Sequence, residues 1–465
     1  MPPRHLNFIL ITITACLACY FTHRRIRSAL SVADAINLIE REYVDPVERK
    51  DLVKAAMSGL TEGLDPYSAF ISADDYNDFQ SSIEQEFAGI GIIVDQPEED
   101  RPVRVVTPLI GSPAIQAGLL PEDRIVDVDG EDVRTMGLSD VSLRLRGPIG
   151  TSVTIGLRRG EDVLSKTVVR DSIQLESVVG NHRNEKNEWV FRLQDQPEIA
   201  YLRVSQFGQR TTDEMRQVFE DLDNDFDSLI LDLRGNGGGL LFSAVDVVDM
   251  FLNNGVVVTT RMRGGVEADR FTAEQGTLVD LDKPVVLLIN GLSASASEIV
   301  AAALKDHDRA TIVGSRSFGK GTVQNVIPLD YGRSALKLTV AKYVRPNEQN
   351  IHRDADAKEE DEWGVKPSEG GEITLSENEI RGLLIDWQRA SYPNMAIPKL
   401  ADTEDNPAIE NDSEQEPAGV PVDPDQSAES SIEDDYDPQK PFVDRQMQRA
   451  IELLSSPKST SQVAA

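Results

Sequence analysis

The stretch VVLLINGLSASASEIVAAALKDH, residues 285–307, contains a buried strand, a sharp turn and a helix in immediate succession. Its first five residues are all apolar, which is typical of a strand that is covered on both faces of a sheet. Gly291 turns the chain, and the spacing predicts a helix from about Ser295. Because strands and helices that alternate in this way build α/β folds, the stretch predicts an α/β core.

Further strands and helices alternate around this stretch. The predicted strands are IAYLRV, SLILDLR, TIVG and ALKLTVAKYV, and the predicted helices are TTDEMRQVFEDLD and LFSAVDVVDMFL. Residues 171–395 are therefore predicted to form the core. A chain of 465 residues is longer than the ~250–300 residues at which single cores stop growing, so we expect a multidomain protein.

Two smaller regions are predicted ahead of the core. Residues 28–86 space their apolar side chains at three and four positions, as amphipathic helices do. Residues 87–170 change to short strands and Gly-rich turns, which predicts a small β-domain of sandwich or barrel type with two helices.

The region after the core divides into a linker and a helix. Residues 396–438 are rich in Pro, Ser and acidic residues, and we expect a disordered, solvated linker there. Residues 439–456 regain helical spacing at Phe442, Met447 and Ile451. A helix that follows such a linker predicts a segment that docks back on the core.

Composition excludes several classes of function. A formal net charge of −32 argues against nucleic-acid binding, because phosphate recognition needs basic patches. The two cysteines, Cys16 and Cys19, both lie in the apolar N-terminal stretch, so the folded part has neither a disulfide nor a cysteine-ligated zinc. We expect no metal and no organic cofactor.

Ser295 and Lys320 are the candidate reactive residues. A serine at the start of a helix gains from the free backbone N–H groups there, although Ser295 and Glu298 also match an ordinary capping box. Lys320 lies between Gly319 and Gly321. As a base it would have to be neutral, so burial would have to lower its pKa from ~10.4 by roughly 3 units. The alternatives are a solvent-facing lysine and a phosphate loop, whose pattern is incomplete here.

A second Gly-rich segment, RGNGGG at residues 234–239, follows the strand LILDL. Consecutive glycines at the end of a strand expose backbone N–H groups, which suits an oxyanion hole. The alternative is a tight strand-to-helix turn.

Several motifs together resemble one family. DLRGNGGG, SASASE, FGKGTVQ and ALKLTVAKY occur in this order, and YVDP, LDPYSAFIS and FAGIGI precede them. The set is similar to the carboxyl-terminal processing (tail-specific) serine proteases over roughly residues 30–370. The resemblance implies a crotonase-like α/β protease core and a PDZ domain, with the N-terminal helical region ahead of them.

The resemblance also implies roles for residues. Ser295 matches the nucleophile, Lys320 the general base, and Gln324 the glutamine that helps orient that lysine. Ala296 and Gly238 would supply the oxyanion N–H groups.

Asp306 and His307 lie at the end of the predicted helix that begins at about Ser295. Asp306 matches a supporting acid that some members have, or it is a solvated charge at a helix end. We expect His307 to be structural.

Gly89, Ile90, Gly91 and Ile92 match the PDZ loop whose N–H groups receive a peptide's terminal carboxylate. Residues 92–94 would then pair with the peptide as an added strand. The resemblance further suggests that this domain gates the active site.

The expected function is a serine endopeptidase that recognises unstructured, apolar C-termini of proteins and cleaves through an acyl-enzyme. The first alternative is a non-catalytic PDZ scaffold, and the second is an acyl-transfer enzyme on a related core. The sequence leaves open whether the chain forms a homo-oligomer or binds an activating adaptor.

The apolar run at residues 6–22 favours an uncleaved membrane anchor or signal within residues 1–27. Arg24, Arg25 and Arg27 follow it and, by the positive-inside rule, favour a cytoplasmic location for the rest of the chain. The family resemblance implies instead an exported protein on the extracytoplasmic, periplasmic side, and we expect that location.

Overall fold

The computed structural model describes residues 12–14, 29–96, 102–392 and 442–455. These residues belong to two compact units. The smaller unit comprises the described residues up to Tyr76 together with residues 324–339, and the larger unit comprises the other described residues. The predicted linker at 396–438 and most of the predicted anchor lie outside the described residues. Among the residues that are described, no helix is long and apolar enough to cross a membrane.

The smaller unit contains two of the helices predicted for the N-terminal region. They are α1 (residues 29–42) and α2 (Arg49–Glu62). The prediction of helix was wrong for Ala69–Ile71, which form strand β1. Asp65 accepts hydrogen bonds from the N–H groups of Tyr67 and Ser68. This turn directs the next residues into antiparallel pairing, in which Ala69 faces Lys337.

The larger unit begins with helix α3 (Tyr76–Glu84), most of which belongs to it, and continues into the predicted β-domain. The elements there are β2 (Glu86–Gly89), β3 (Ile92–Asp95), β4 (Arg104–Pro108), α4 (Pro113–Gln116), β5 (Arg124–Val128), β6 (Glu131–Asp132), α5 (Leu138–Leu145), β7 (Ser152–Arg159), β8 (Asp162–Val169) and β9 (Asp171–Gln174). The main sheet has the order β3-β4-β5-β7-β8, and β2 pairs separately with β9. Buried side chains such as Val105, Ile125 and Ile155 form its own apolar core.

The α/β core follows in the same unit, except that residues 324–339, which lie in its strands β19 and β20 and the turn between them, belong to the smaller unit. Its elements are β10 (Val178–Val179), β11 (His182–Arg183), β12 (Trp189–Val190), β13 (Ile199–Val204), α6 (Thr211–Leu222), β14 (Ser228–Asp232), α7 (Leu241–Asp249), β15 (Val256–Met262), β16 (Glu267–Thr272), β17 (Val285–Ile289), α8 (Ala296–Asp306), β18 (Thr311–Gly314), β19 (Thr322–Leu329), β20 (Ser334–Val344), α9 (Glu377–Ser391) and α10 (Arg445–Ser455). The sheet β10-β13-β14-β17-β18 is parallel except for β10. The strand predicted from VVLLI is its fourth member.

Both faces of this sheet are covered, as its continuous apolar strands predict. Leu231 and Leu287 pack with α6, α7 and α8 on one face. Ile230 and Leu288 point the other way and pack with residues of α10, including Ala450. The prediction that the C-terminal helix docks back on the core is confirmed.

Candidate active site

Ser295 lies at the junction of strand and helix, as the sequence predicts, but in an unusual backbone conformation. It precedes α8 with φ 56° and ψ −112°, a region that residues other than glycine rarely adopt. The residue is buried, with 7% of its surface exposed. Its N–H donates to Glu298 Oε2 at 2.8 Å, and its hydroxyl shares a hydrogen bond with Tyr343. The carboxylate half of the expected capping box is therefore present.

Glu298 brings the two candidate reactive residues together. Its Oε2 accepts the backbone N–H of Lys320 at 2.8 Å, in addition to that of Ser295 at 2.8 Å. The two backbone nitrogens therefore lie within twice that distance of each other. Its Oε1 accepts the Ser317 hydroxyl at 2.6 Å and the Gly319 N–H at 2.7 Å. One side chain thus holds the turn of Ser295 and the loop of Lys320 in one place.

This carboxyl group is fully buried. Burial raises the pKa of Glu298 to about 7, because desolvation disfavours the charged form, while the bonds from Ser317, Ser295, Gly319 and Lys320 oppose that shift. Sequence reasoning noted Glu298 as a capping residue only. The link to the lysine loop, 22 positions away, leaves no signal in local spacing.

Lys320 is buried, with 8% of its surface exposed, so the alternative of a solvent-facing lysine is wrong. The flanking glycines let this loop approach its neighbours closely. A Cβ on Gly321 would lie 2.2 Å from the backbone nitrogen of His352, and one on Gly319 would lie 3.0 Å from the Trp363 ring. Close packing accounts for both glycines.

Tyr343 joins the same cluster from β20. Its N–H donates to the Gly321 carbonyl oxygen at 2.8 Å, while its hydroxyl meets Ser295. Burial raises the pKa of Tyr343 to about 12, so the phenol stays protonated near neutral pH. The residue stands inside the motif ALKLTVAKY, but no role was predicted for it.

The Gly-rich turn lies directly against the candidate nucleophile. A Cβ on Gly238, at φ 106°, would approach Ser295 Cβ and the Ala294 carbonyl oxygen to 2.8 Å each. Asn236 ties the turn in place, because its carbonyl oxygen accepts the Ala294 N–H at 3.0 Å and the Ser297 hydroxyl at 2.8 Å. Only a glycine permits this approach.

The backbone N–H groups of the two expected oxyanion donors, Ala296 and Gly238, differ in their hydrogen bonds. Ala296 is the first residue of α8, where a backbone N–H has no acceptor within the helix. The Gly238 N–H, in contrast, donates to Asn236 Oδ1 at 2.9 Å. This bond would have to open before Gly238 could donate to an oxyanion.

The side chains of Gln324 and Asp306 each have hydrogen-bond or ion-pair partners. Within the smaller unit, Gln324 Nε2 donates to Thr339 Oγ1 at 3.1 Å, and Thr339 donates to Asp65. Asp306 ends α8 and forms a buried ion pair with Arg345 at 2.6 Å. At ~1.5 Å per residue, the helix separates it from Ser295 by roughly 15 Å. The structure does not bring it to the candidate site, and its ion pair is buried rather than solvated.

His307 contacts the Val256 carbonyl oxygen through Nε2 at 2.7 Å, which agrees with the expected structural role. Among the described residues, no group of His, Cys, Asp and Glu side chains is arranged to hold a metal ion.

The candidate peptide site lies at the edge of the small domain. Gly89 ends β2, Ile92 begins β3, and β3 is an edge strand of its sheet within the described residues. The carbonyl oxygens of Ile90 and Gly91 accept backbone N–H groups at 2.9 and 3.0 Å. Gly91 has φ 75°, and a Cβ there would lie 2.4 Å from the Ser112 side chain. The loop is therefore tightly folded beside an edge strand.

The buried carboxyl group leads to a prediction about stability. Because its pKa is raised from 4.5 to about 7, folded Glu298 holds its proton more tightly than the unfolded chain does. Relative to the Glu298→Gln variant, the parent should therefore be most stable below pH 4.5 and should lose that advantage as the pH rises to about 7. Melting temperatures of both proteins between pH 4 and pH 8 test this. Curves that run parallel would contradict it.

Two family models match separate parts of this chain. Residues 198–367 match peptidase family S41, and residues 104–159 match a PDZ domain. A carboxy-terminal-processing protease of Bartonella bacilliformis is 38% identical over 367 residues, which cover 75% of this chain and 79% of that protein. A carboxyl-terminal-processing protease of Synechocystis sp. is 33% identical over 321 residues, which cover 68% and 72%.

A solved structure, that of a photosystem II D1 C-terminal processing protease, is 28% identical and aligns with 75% of this chain and 92% of its own, at a TM-score of 0.42. The sequence matches confirm the predicted fold class, an α/β protease core with a PDZ domain. From the identity and coverage of its relatives, the chain belongs to peptidase family S41, as a carboxy-terminal processing serine protease.

Proposed function

We propose that this protease cleaves peptide bonds with Ser295 as its nucleophile and Lys320 as its general base. The observation that carries the proposal is the shared acceptor, because Glu298 Oε2 binds the backbone N–H groups of both residues. Both residues are also buried. A serine and a lysine held together and away from water form an activated nucleophile.

In the proposed reaction, Ser295 Oγ attacks the scissile carbonyl carbon and Lys320 Nζ takes the hydroxyl proton. The carbon–nitrogen bond then breaks, the lysine returns the proton to the leaving amine, and an ester to Ser295 remains. Water, activated by the same lysine, hydrolyses that ester and frees the serine. A lysine can accept a proton only when it is uncharged, and buried surroundings favour that form.

The oxyanion of the tetrahedral intermediate would be held by the Ala296 N–H, with its partial positive charge at the start of α8. Gly238 is the proposed second donor, since it lies against Ser295. Gln324 is proposed to orient Lys320. It belongs to β19, which pairs with β20, and it follows Lys320 by four positions.

The proposed substrate is a protein with an unstructured, apolar C-terminus. The edge strand β3 supports this proposal, because PDZ domains bind an extended peptide as an added strand. The loop at residues 89–92 is the proposed receptor of the terminal carboxylate. The names of the relatives, which refer to processing of carboxyl termini, agree with it.

Cleavage of an unstructured reporter with an apolar C-terminal tail tests the chemistry. The Ser295→Ala and Lys320→Ala variants should each lose kcat by about a thousandfold or more, because they remove the nucleophile and its base. His307→Gln is the matched control outside the site. Equal binding of the tail by all variants, with no cleavage by the parent, would favour the scaffold alternative.

A chemical change in the substrate tests the PDZ site without altering the protein. The same reporter with an amidated C-terminus lacks the terminal carboxylate but keeps the scissile region. Its kcat/KM should be lower by about tenfold, since charge-assisted hydrogen bonds to the loop are lost. Equal kcat/KM for the two reporters would exclude carboxylate recognition.

We also propose that the protein is exported and attached to the membrane by residues 6–22, with its active site on the extracytoplasmic side. The length and apolar character of that run support this, although the arginines after it oppose it. An added protease should digest the full-length protein in spheroplasts with intact membranes. Protection until the cells are lysed would place the protein in the cytoplasm.

A further inference from the structure

Arg234 connects the Gly-rich turn to the far end of the chain. It follows β14 and opens the turn that lies against Ser295, and only 1% of its surface is exposed. A buried guanidinium is costly unless anions and acceptors surround it. The groups that bind the Arg234 guanidinium therefore also hold the Gly-rich turn in place.

Two elements supply the partners. Asp232, at the end of β14, accepts Arg234 Nε at 2.9 Å and Nη2 at 2.6 Å. Nη1 points the other way, to Asp444 at 2.8 Å and to Gln446 Oε1 at 3.1 Å. Asp444 lies 210 positions further along the chain, immediately before α10. The C-terminal helix thus supplies half of the guanidinium's charged partners.

We propose that Asp444, together with Gln446, is a positioning residue for the protease reaction. By fixing the guanidinium of Arg234 from outside the sheet, α10 holds the Gly-rich turn in its place against Ser295. The inference rests on the proposed function, because it concerns the same nucleophile. It adds that the helix beyond the acidic linker is part of the active-site framework.

A series of hydrogen bonds of ordinary length connects Arg234 with the turn before Ser295. The Arg234 N–H donates to Asp232 Oδ1 at 3.0 Å, so the backbone and side chain are fixed by one carboxylate. The next N–H, of Gly235, donates to Asn290 Oδ1 at 2.9 Å. Asn236 then bonds the Ala294 N–H, one residue before Ser295. A shift of the guanidinium is therefore passed to the nucleophile within a few residues.

Other contacts anchor α10 independently of Asp444. Arg445 pairs with Glu379 of α9, and the Gln446 side-chain N–H donates to the Ile373 carbonyl oxygen at 2.7 Å. The apolar side of α10, on which Ala450 is fully buried, packs on the sheet. We therefore expect the helix to stay docked when Asp444 alone is changed.

Asp444 also caps its own helix, because its Oδ1 accepts the Met447 N–H at 3.0 Å. Substitution must separate this structural role from the ion pair. Serine caps a helix about as well as aspartate, but its side chain is too short to reach Arg234. Asparagine keeps both the cap and a hydrogen-bond acceptor while removing the charge.

The experiment compares the full chain with its Asp444→Ser, Asp444→Asn, Glu452→Gln and Ser295→Ala variants, using the apolar-tailed reporter. Asp444→Ser should lower kcat by about tenfold with KM within about twofold, because misplacement of reacting groups slows chemistry more than binding. Asp444→Asn should recover part of that loss. Glu452→Gln, which removes an exposed carboxylate from the same helix, should match the parent.

Three other results would overturn either the positioning role of Asp444 or the proposed function. An active parent with an equally active Asp444→Ser variant overturns the positioning role alone. A loss of kcat that only follows the folded fraction, measured by circular dichroism at the assay temperature, means that Asp444 merely stabilises the fold and also overturns it. A parent no more active than Ser295→Ala overturns the proposed function and this inference with it.

Discussion

The geometry of the candidate site depends on one buried carboxylate, Glu298, that binds two loops by their backbones. Its four donors come from the turn before α8 and from the loop at residues 317–320. Burying a charged group is unfavourable unless hydrogen bonds replace its hydration. These donors replace only part of it, because the pKa of Glu298 is still raised to about 7. Because three of them are backbone N–H groups, the positions of Ser295 and Lys320 do not depend on their own side-chain rotamers. The same bonds help to hold the strained backbone of Ser295.

The candidate site also requires backbone segments to approach one another closely, and glycines make this possible. Gly238 lies against Ser295, and Gly321 lies against His352, at distances that any side chain would obstruct. The Gly-rich sequences thus allow close packing around Ser295 and Lys320.

The central sheet connects these local features to the whole unit. One face of the sheet packs against α8, which begins beside Ser295, and the opposite face packs against α10. Arg234 lies at the end of β14 and is bonded from both its own strand and α10. Two buried polar networks, one around Glu298 and one around Arg234, therefore flank the turn before α8. Such networks specify a unique arrangement only when every member is hydrogen-bonded.

Local patterns determined much of this protein by themselves. Continuous apolar runs predicted the buried strands, three- and four-residue spacing predicted the helices, and the ordered motifs indicated the protease family. The docking of the C-terminal helix was also predictable, because its apolar stripe needs a covered surface. Strand Ala69–Ile71 was not, since its pairing partner lies more than 260 positions away.

Only the tertiary structure decided which polar groups meet. Ser295 and Glu298 look like a helix cap in sequence, yet the carboxylate also binds Lys320. Asp306 looks like a supporting acid, but eleven residues of helix carry it away from Ser295 and it pairs with Arg345. Secondary structure follows from short-range periodicity, which a sequence displays directly. Hydrogen-bond partners in a buried site depend on how distant segments pack, and that information is not local.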